Sequence, residues 1–174
     1  MDGGLPTDDP KELLVVVDRE DRELGLRTRA DCHADPRLLH RSVYVTVETA
    51  QGRLFQRRGR KKDSSPGAWD LACAGHVGAG ESYLDAARRE LSEELGLCDV
   101  EPRRLGSLPF LDLDGESELC TVFALDHDGP FAVRPPEVIG VVAFADDERP
   151  EPLAPSARVV LAWLDAQRAE GRSG

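Results

Sequence analysis

The stretch from Gly75 to Leu97, GHVGAGESYLDAARRELSEELGL, constrains this chain more than any other. Its middle reads as an amphipathic helix that opens at Ser82. Asp85, three residues on, serves as a capping-box partner and as a favourable charge at the positive helix end. Leu84, Ala87, Leu91 and Leu95 recur at helical spacing and make one narrow apolar stripe. Gly96 then ends the helix as a C′ residue.

Glu90, Glu93 and Glu94 stand three and four residues apart, so their carboxylates share one patch within a single turn. Like charges at that spacing cost roughly 0.2–0.5 kcal/mol per pair, and anions at a helix C-terminus about 0.3–1 kcal/mol each. A solvated charged face gives no reason for three acids to crowd the least favourable end. A bound divalent cation with oxygen ligands does.

Gly75, Glu81, Arg89, Glu90, Leu91, Glu93, Glu94, Gly96 and Leu97 fill, without gap or substitution, the pattern GX5EX7REUXEEXGU, with U a bulky aliphatic. The stretch is thus similar to the Nudix box, and the resemblance implies a hydrolase that cleaves a diphosphate linkage with magnesium, or manganese in its place. It further implies that Glu90, Glu93 and Glu94 hold the metal with a carbonyl near Gly75. Arg89 would pair with Glu81, keeping loop and helix in register behind the ligands.

The 174 residues suit one domain with a real core, expected over 11–170 behind a loose Gly-, Pro- and Asp-rich tail at 1–10. A net charge of −11 argues against a nonspecific grip on nucleic acid or an anionic membrane, both of which need a basic surface. No apolar run approaches ~18 residues, and Met1 to Pro10 lacks signal-peptide character, so a cytoplasmic protein is expected. Cys32, Cys73, Cys98 and Cys120 form no CxxC pair and read as idle thiols.

Leu13 to Val17 followed by Leu24-Gly25-Leu26 suggests a hairpin, and Pro36 to His40 a brief helical turn. Ser42 to Thr49 alternates Val43, Val45 and Val47 on one face, and Gly52 separates it from Leu54-Phe55. Arg103 to Leu113, Leu119 to Leu125 and Val138 to Phe144 read as strands, and Ser156 to Ala169 as a last helix with Val160, Trp163 and Leu164 inward. The mixture implies an α+β sandwich, a mixed sheet between helices. It matches the α/β/α Nudix fold, with its loop-helix-loop box, that the resemblance implies.

The basic run Arg57-Arg58-Gly59-Arg60-Lys61-Lys62, just ahead of the box in so acidic a chain, suggests a phosphate receiver. Arginine grips phosphate in a bidentate fork, and Lys62 would act as a mobile point charge. Trp69, Phe110 and Phe123 are candidates for contacting the rest of the substrate.

Over most of its length the chain also resembles isopentenyl-diphosphate isomerase, a Nudix-fold enzyme, through Leu39-His40-Arg41, Arg57-Arg58, Pro66-Gly67-Ala68-Trp69 and Glu116-Ser117-Glu118-Leu119-Cys120. That resemblance implies a second metal site of His33, His40, His76, Glu116 and Glu118, for which zinc or manganese suits the donors. It also places Arg58 and Lys62 against a diphosphate. The isomerase needs a cysteine immediately before the Gly-His step, where this chain has Ala74, with Cys73 on the opposite strand face. Its catalytic tyrosine has no counterpart either, since Leu108 to Asp112 offers only Phe110. The expected enzyme is an isomerase-like Nudix hydrolase that releases a monophosphate from nucleoside or deoxynucleoside 5′-di- or triphosphates, with a small-molecule nucleotide, not nucleic acid or membrane, as its partner. The alternatives are isomerase chemistry and hydrolysis of another nucleoside-diphosphate-linked compound. Glu118 is the first candidate for general base and Glu93 the second.

Overall fold

The computed structural model describes residues 9–62, 64–145 and 147–171. The expected tail at 1–10 falls mostly outside these. At its end, Pro10 accepts a backbone hydrogen bond from Ala30 at 3.1 Å.

Chain order is β1 (Leu13–Val17), β2 (Glu23–Thr28), α1 (Arg29–Ala34), β3 (His40–Thr49), β4 (Gly52–Arg58), β5 (Trp69–Leu71) and β6 (Cys73–His76). There follow α2 (Tyr83–Leu95), β7 (Arg103–Leu113), β8 (Glu116–Asp126), β9 (Val138–Phe144) and α3 (Pro155–Gly171). The strands form one mixed, open sheet around β3, which pairs in parallel with β8 and antiparallel with β1, β4 and β6.

Period-2 alternation on β3 sets the layers. Val43, Val45 and Val47 point to one face, where they bury with Ala86, Ala87, Leu91 and Leu95 of α2. Tyr44 points to the other, into a core that includes Phe55, Leu108 and Val122 and is covered by Ala157, Val160, Leu161 and Leu164 of α3. The result is the sandwich expected from the sequence, a sheet between helices. Each fully buried leucine of α2 contributes about 1.5–3 kcal/mol, which outweighs the charge repulsion on its other face.

The ends of α2 follow local chemistry. Ser82 Oγ accepts from Asp85 N at 3.1 Å, and Gly96 adopts φ 69° while Leu97 N donates to Leu91 O at 3.1 Å. The helical turn expected at Pro36 to His40 lies instead at Arg29–Ala34. Thr28 caps that segment by accepting from Asp31 N at 3.2 Å, and Asp35 is extended, as a residue before proline prefers. His40 begins β3. Among the described residues no helix is long and apolar enough to cross a membrane.

Candidate active site

Strand β6 divides the site. Among the described residues it pairs only with β3, so its other edge lies open to α2. Ala74 N donates to Glu94 Oε2 at 3.2 Å across that edge, and Gln56 Nε2 donates to the same oxygen at 3.0 Å. A Cβ built on Gly75 would stand 1.9 Å from Glu90 Oε1. Glycine therefore lets the helix acid close against the strand. Glu90 and Glu94 are both buried, whereas the Glu93 side chain stays 52% exposed at the rim.

Burial pushes both carboxyls well above their ordinary range. Glu90 is raised further by the charge of Glu94 and restrained by Arg89, whereas Lys62 and the Ala74 amide restrain Glu94. Buried acids of this kind are costly to ionise unless a cation compensates them. Two convergent carboxylates with oxygen donors fit a hard divalent ion such as magnesium. Arg89 holds the arrangement together. Its Nε donates to Glu81 Oε1 at 2.8 Å, its Nη1 to Glu90 Oε1 at 2.6 Å and Glu93 Oε2 at 3.2 Å, and its Nη2 to the His76 carbonyl at 3.0 Å. Glu81 also accepts from Gly78 N at 3.0 Å, closing the loop ahead of the helix.

On the far side of β6, His33 of α1, His40 of β3, His76 of β6 and Glu116 of β8 bring one ligand atom each to within 4.8 Å of one another. His40 Nδ1 lies 3.2 Å from the Leu38 carbonyl. A carbonyl can only accept, so that nitrogen carries a proton; in the neutral ring Nε2 then keeps its lone pair, and it is buried without a hydrogen-bond partner. A metal ligand backed by a backbone carbonyl has this arrangement. His33 Nδ1 lies 3.2 Å from Glu116 Oε1, and burial together with the Glu118 charge raises the Glu116 carboxyl to about 7. Desolvation, then the nearby His40, Arg29 and His33, hold His76 well below its ordinary value. Three imidazoles and a carboxylate fit a borderline ion, zinc or manganese. Glu118, in register with His40, faces the same cavity but lies outside this group of four.

Both clusters open into one cavity of about 720 Å³. Glu93, Arg58, Lys62, Glu118 and Phe110 all line it, so the structure brings these expected residues together. Trp69 is not among its walls. The indole packs on Phe144 with ring centroids 5.6 Å apart, and Arg57 lies over it at 5.6 Å. Phe123 is buried on the α2 side of the sheet. Cys73 is likewise buried there, while Ala74 lines the cavity.

Sequence reasoning missed Arg29, Tyr44, Arg134, Glu137 and Ser156, which also line it. Alternation on β3 could have singled out Tyr44, which shares the face of His40. The others come from segments far apart in the chain, and no local signal marks them.

Buried acids at an open strand edge, with Lys62 in the same cavity, have the donors and charge that hydrolysis of a diphosphate bond needs. Comparison with known proteins agrees. Residues 38–164 match the NUDIX domain model, and the chain belongs to the Nudix hydrolase family. It is 36% identical over 162 residues to an uncharacterized Nudix hydrolase of Pseudomonas aeruginosa, covering 89% of this chain and 95% of that one. It is 33% identical over 162 residues to the uncharacterized Nudix hydrolase YfcD of Escherichia coli K12, covering 88% and 87%. A crystal structure of a Deinococcus radiodurans protein, DR0079, superposes with a TM-score of 0.66 at 28% identity, over 89% and 90% of the two chains. A MutT NUDIX hydrolase of Burkholderia pseudomallei gives 0.62 at 26%, over 70% and 95%.

Proposed function

We propose that this protein hydrolyses a phosphoanhydride of nucleoside or deoxynucleoside 5′-di- or triphosphates in the cytoplasm, with magnesium or manganese, releasing the monophosphate. The observation that carries the reading is the buried pair Glu90 and Glu94, closed onto β6 through Gly75 and lining the cavity.

Glu90 and Glu94 would hold the cation, with Glu93 at the rim. When bound, such an ion neutralises charge on the phosphate oxygens and makes water more acidic. Arg89 fixes the direction of Glu90 by donating to it while bound to Glu81. Lys62 and Arg134, which line the same cavity, would supply positive charge for the phosphate oxygens. The new bond joins water oxygen to phosphorus, the bond to the bridging oxygen breaks, and a carboxylate takes the proton. Glu118, inside the cavity, is the first candidate for that base and Glu93 the second. The apolar part of the cavity, around Tyr44, Phe110 and Pro155, is the space for the remaining moiety. Four free thiols, three of them buried, suit a reducing compartment.

The histidine group favours placing the chain in the isomerase-like branch and supports a second reading, in which the substrate is an isoprenoid diphosphate. Ala74 faces the cavity without an ionisable group, so hydrolysis rather than rearrangement fits that substrate too.

The test is a phosphate-release screen over nucleotides and C5 isoprenoid diphosphates with Mg²⁺ or Mn²⁺. Hydrolysis of nucleotides is expected, and Glu94→Gln is expected to lower turnover by at least ~100-fold. Wild-type rates in that variant would refute the metal role. Rearrangement of a C5 diphosphate without phosphate release would establish the isomerase reading instead.

A further inference from the structure

Arg58 lies in the cavity wall, but its guanidinium is committed elsewhere. Nη1 donates to Asp70 Oδ2 at 2.8 Å, Nε and Nη2 donate to the Ser64 carbonyl at 3.2 and 3.0 Å, and Nη2 reaches Ser64 Oγ at 3.1 Å. Asp70 is fully buried, and its second oxygen accepts from Leu71 N at 2.8 Å. An arginine with all three nitrogens engaged by the protein is a poor fork for a phosphate.

What these bonds do is hold Ser64 against the end of β4. Both ends of the loop from Gly59 to Gly67 are tied at the same place, since Arg58 N donates to Ala68 O at 2.9 Å and Gly59 N to Glu137 O at 2.6 Å. Gly59 has no room for a side chain, because its Cβ would fall 1.9 Å from the Pro136 carbonyl oxygen. Ser64 is pulled onto β4 by Arg58, and Lys62 sits in the short span between these anchors. Lys62 is partly buried and lines the cavity, whereas its neighbour Lys61 is exposed and does not. Lys62 thus shares the cavity wall with Glu94 of the acidic pair and His76 of the histidine group.

We infer that Asp70, Arg58 and Ser64 form a clasp that positions Lys62, and that Lys62 rather than Arg58 is the cation that meets the diphosphate. The inference rests on the reading of this cavity as a diphosphate site. Arg58 is a positioning residue, and Asp70 is its buried anchor. A lysine at position 58 keeps the charge but cannot span Asp70 and Ser64 at once.

The chain contains three lysines, Lys11, Lys61 and Lys62, so amine acetylation followed by mass spectrometry reads Lys62 against Lys61 as an internal standard. In wild-type protein Lys62 is expected to react more slowly than Lys61, and magnesium pyrophosphate is expected to slow it further. In R58K, and in the charge-neutral pair R58Q/D70N that leaves no buried carboxylate unpaired, Lys62 is expected to react like Lys61. Substrate turnover adds a double-mutant cycle. K62M and R58K are each expected to lower kcat/KM by about 10- to 100-fold, and R58K to add nothing in the K62M background. Unchanged Lys62 reactivity in both clasp variants overturns the positioning role. A further loss from R58K on top of K62M overturns the choice of Lys62 over Arg58. If pyrophosphate protects nothing while the clasp variants still expose Lys62, the diphosphate reading of the cavity fails and the clasp stands.

Discussion

Glu90 Oε1 occupies space that any side chain at Gly75 would need, with only 1.9 Å between that oxygen and the position of a Cβ. The contact is to a buried carboxylate held from behind by Arg89, so it cannot relax by swinging into solvent. Gly75→Ala should therefore push α2 away from β6 and break the approach of both Glu90 and Glu94. The expected result is a loss of hydrolysis by at least ~100-fold, the scale of a misplaced catalytic group. Gly67→Ala offers a comparison, because a Cβ there meets nothing within 4 Å although φ is +71°. It should cost stability with little loss of turnover, as kinetics alongside thermal unfolding would show.

Arg89 links acceptors on four residues, Glu81, Glu90, Glu93 and His76, and lysine can replace its charge but not its fork. Arg89→Lys should leave the fold in place, since α2 is anchored by Leu91 and Leu95 in the core. It should lower kcat by about 10- to 100-fold, the loss of one or two charge-assisted hydrogen bonds at Glu81 and Glu90. A thermal midpoint close to wild type with reduced turnover is the expected pairing. Full activity in Arg89→Lys would show that register between loop and helix does not depend on the fork.

How much of this was legible in the sequence depends on how local the signal is. The bounds of α2 follow from Ser82, Gly96 and a stripe of leucines, all inside one segment, and β7 and β9 lie where their apolar runs place them. The first helix lies upstream of the turn expected at Pro36 to His40 because Thr28 and Asp31 make its cap. In the site, the box acids and the histidines carry their own chemical signature. The commitment of Arg58 to Asp70 and Ser64 is invisible before folding, because a guanidinium on a basic loop reads the same whether it faces phosphate or a buried acid. Trp69 packs on Phe144 of β9, a partner far along the chain that no local pattern announces.

Protonation couples the site to stability. Glu116 is raised from an ordinary 4.5 to about 7 by burial and by Glu118, and Glu90 and Glu94 are raised in the same sense. A carboxyl whose folded pKa is raised stabilises the fold fully below its unfolded value, and that contribution is lost as pH climbs through the folded value. Without metal, these groups should make the protein lose stability between about pH 4.5 and pH 7. A divalent cation compensates the ionised forms and should flatten the loss. Thermal unfolding in chelator and in magnesium checks this, with a larger magnesium shift expected at about pH 8 than at about pH 5. Equal shifts at both would contradict the assignment of buried acids to the cation.

The histidine group makes a separate prediction because its donors differ from those of the box. His40 presents an unpartnered Nε2 while Nδ1 donates to the Leu38 carbonyl, so glutamine at 40 removes the ligand and leaves a polar group of similar reach. His40→Gln should abolish tight binding of zinc or manganese at this group, measured as metal retained after desalting, without changing magnesium-dependent behaviour at Glu90 and Glu94. Arg29 adds a condition. A guanidinium only donates, so its Nη1, 3.1 Å from His76 Nδ1, leaves the proton of the neutral ring on Nε2. Ligation by His76 then requires either that Arg29 withdraw from Nδ1 or that Nε2 lose its proton. Arg29→Met should consequently raise the affinity for the transition metal, since it removes both the competing donor and a positive charge from beside the ion. Lower affinity in Arg29→Met would mean that Arg29 orients His76 for the metal instead of competing with it, and equal retention in His40→Gln would remove this group of four as a metal site.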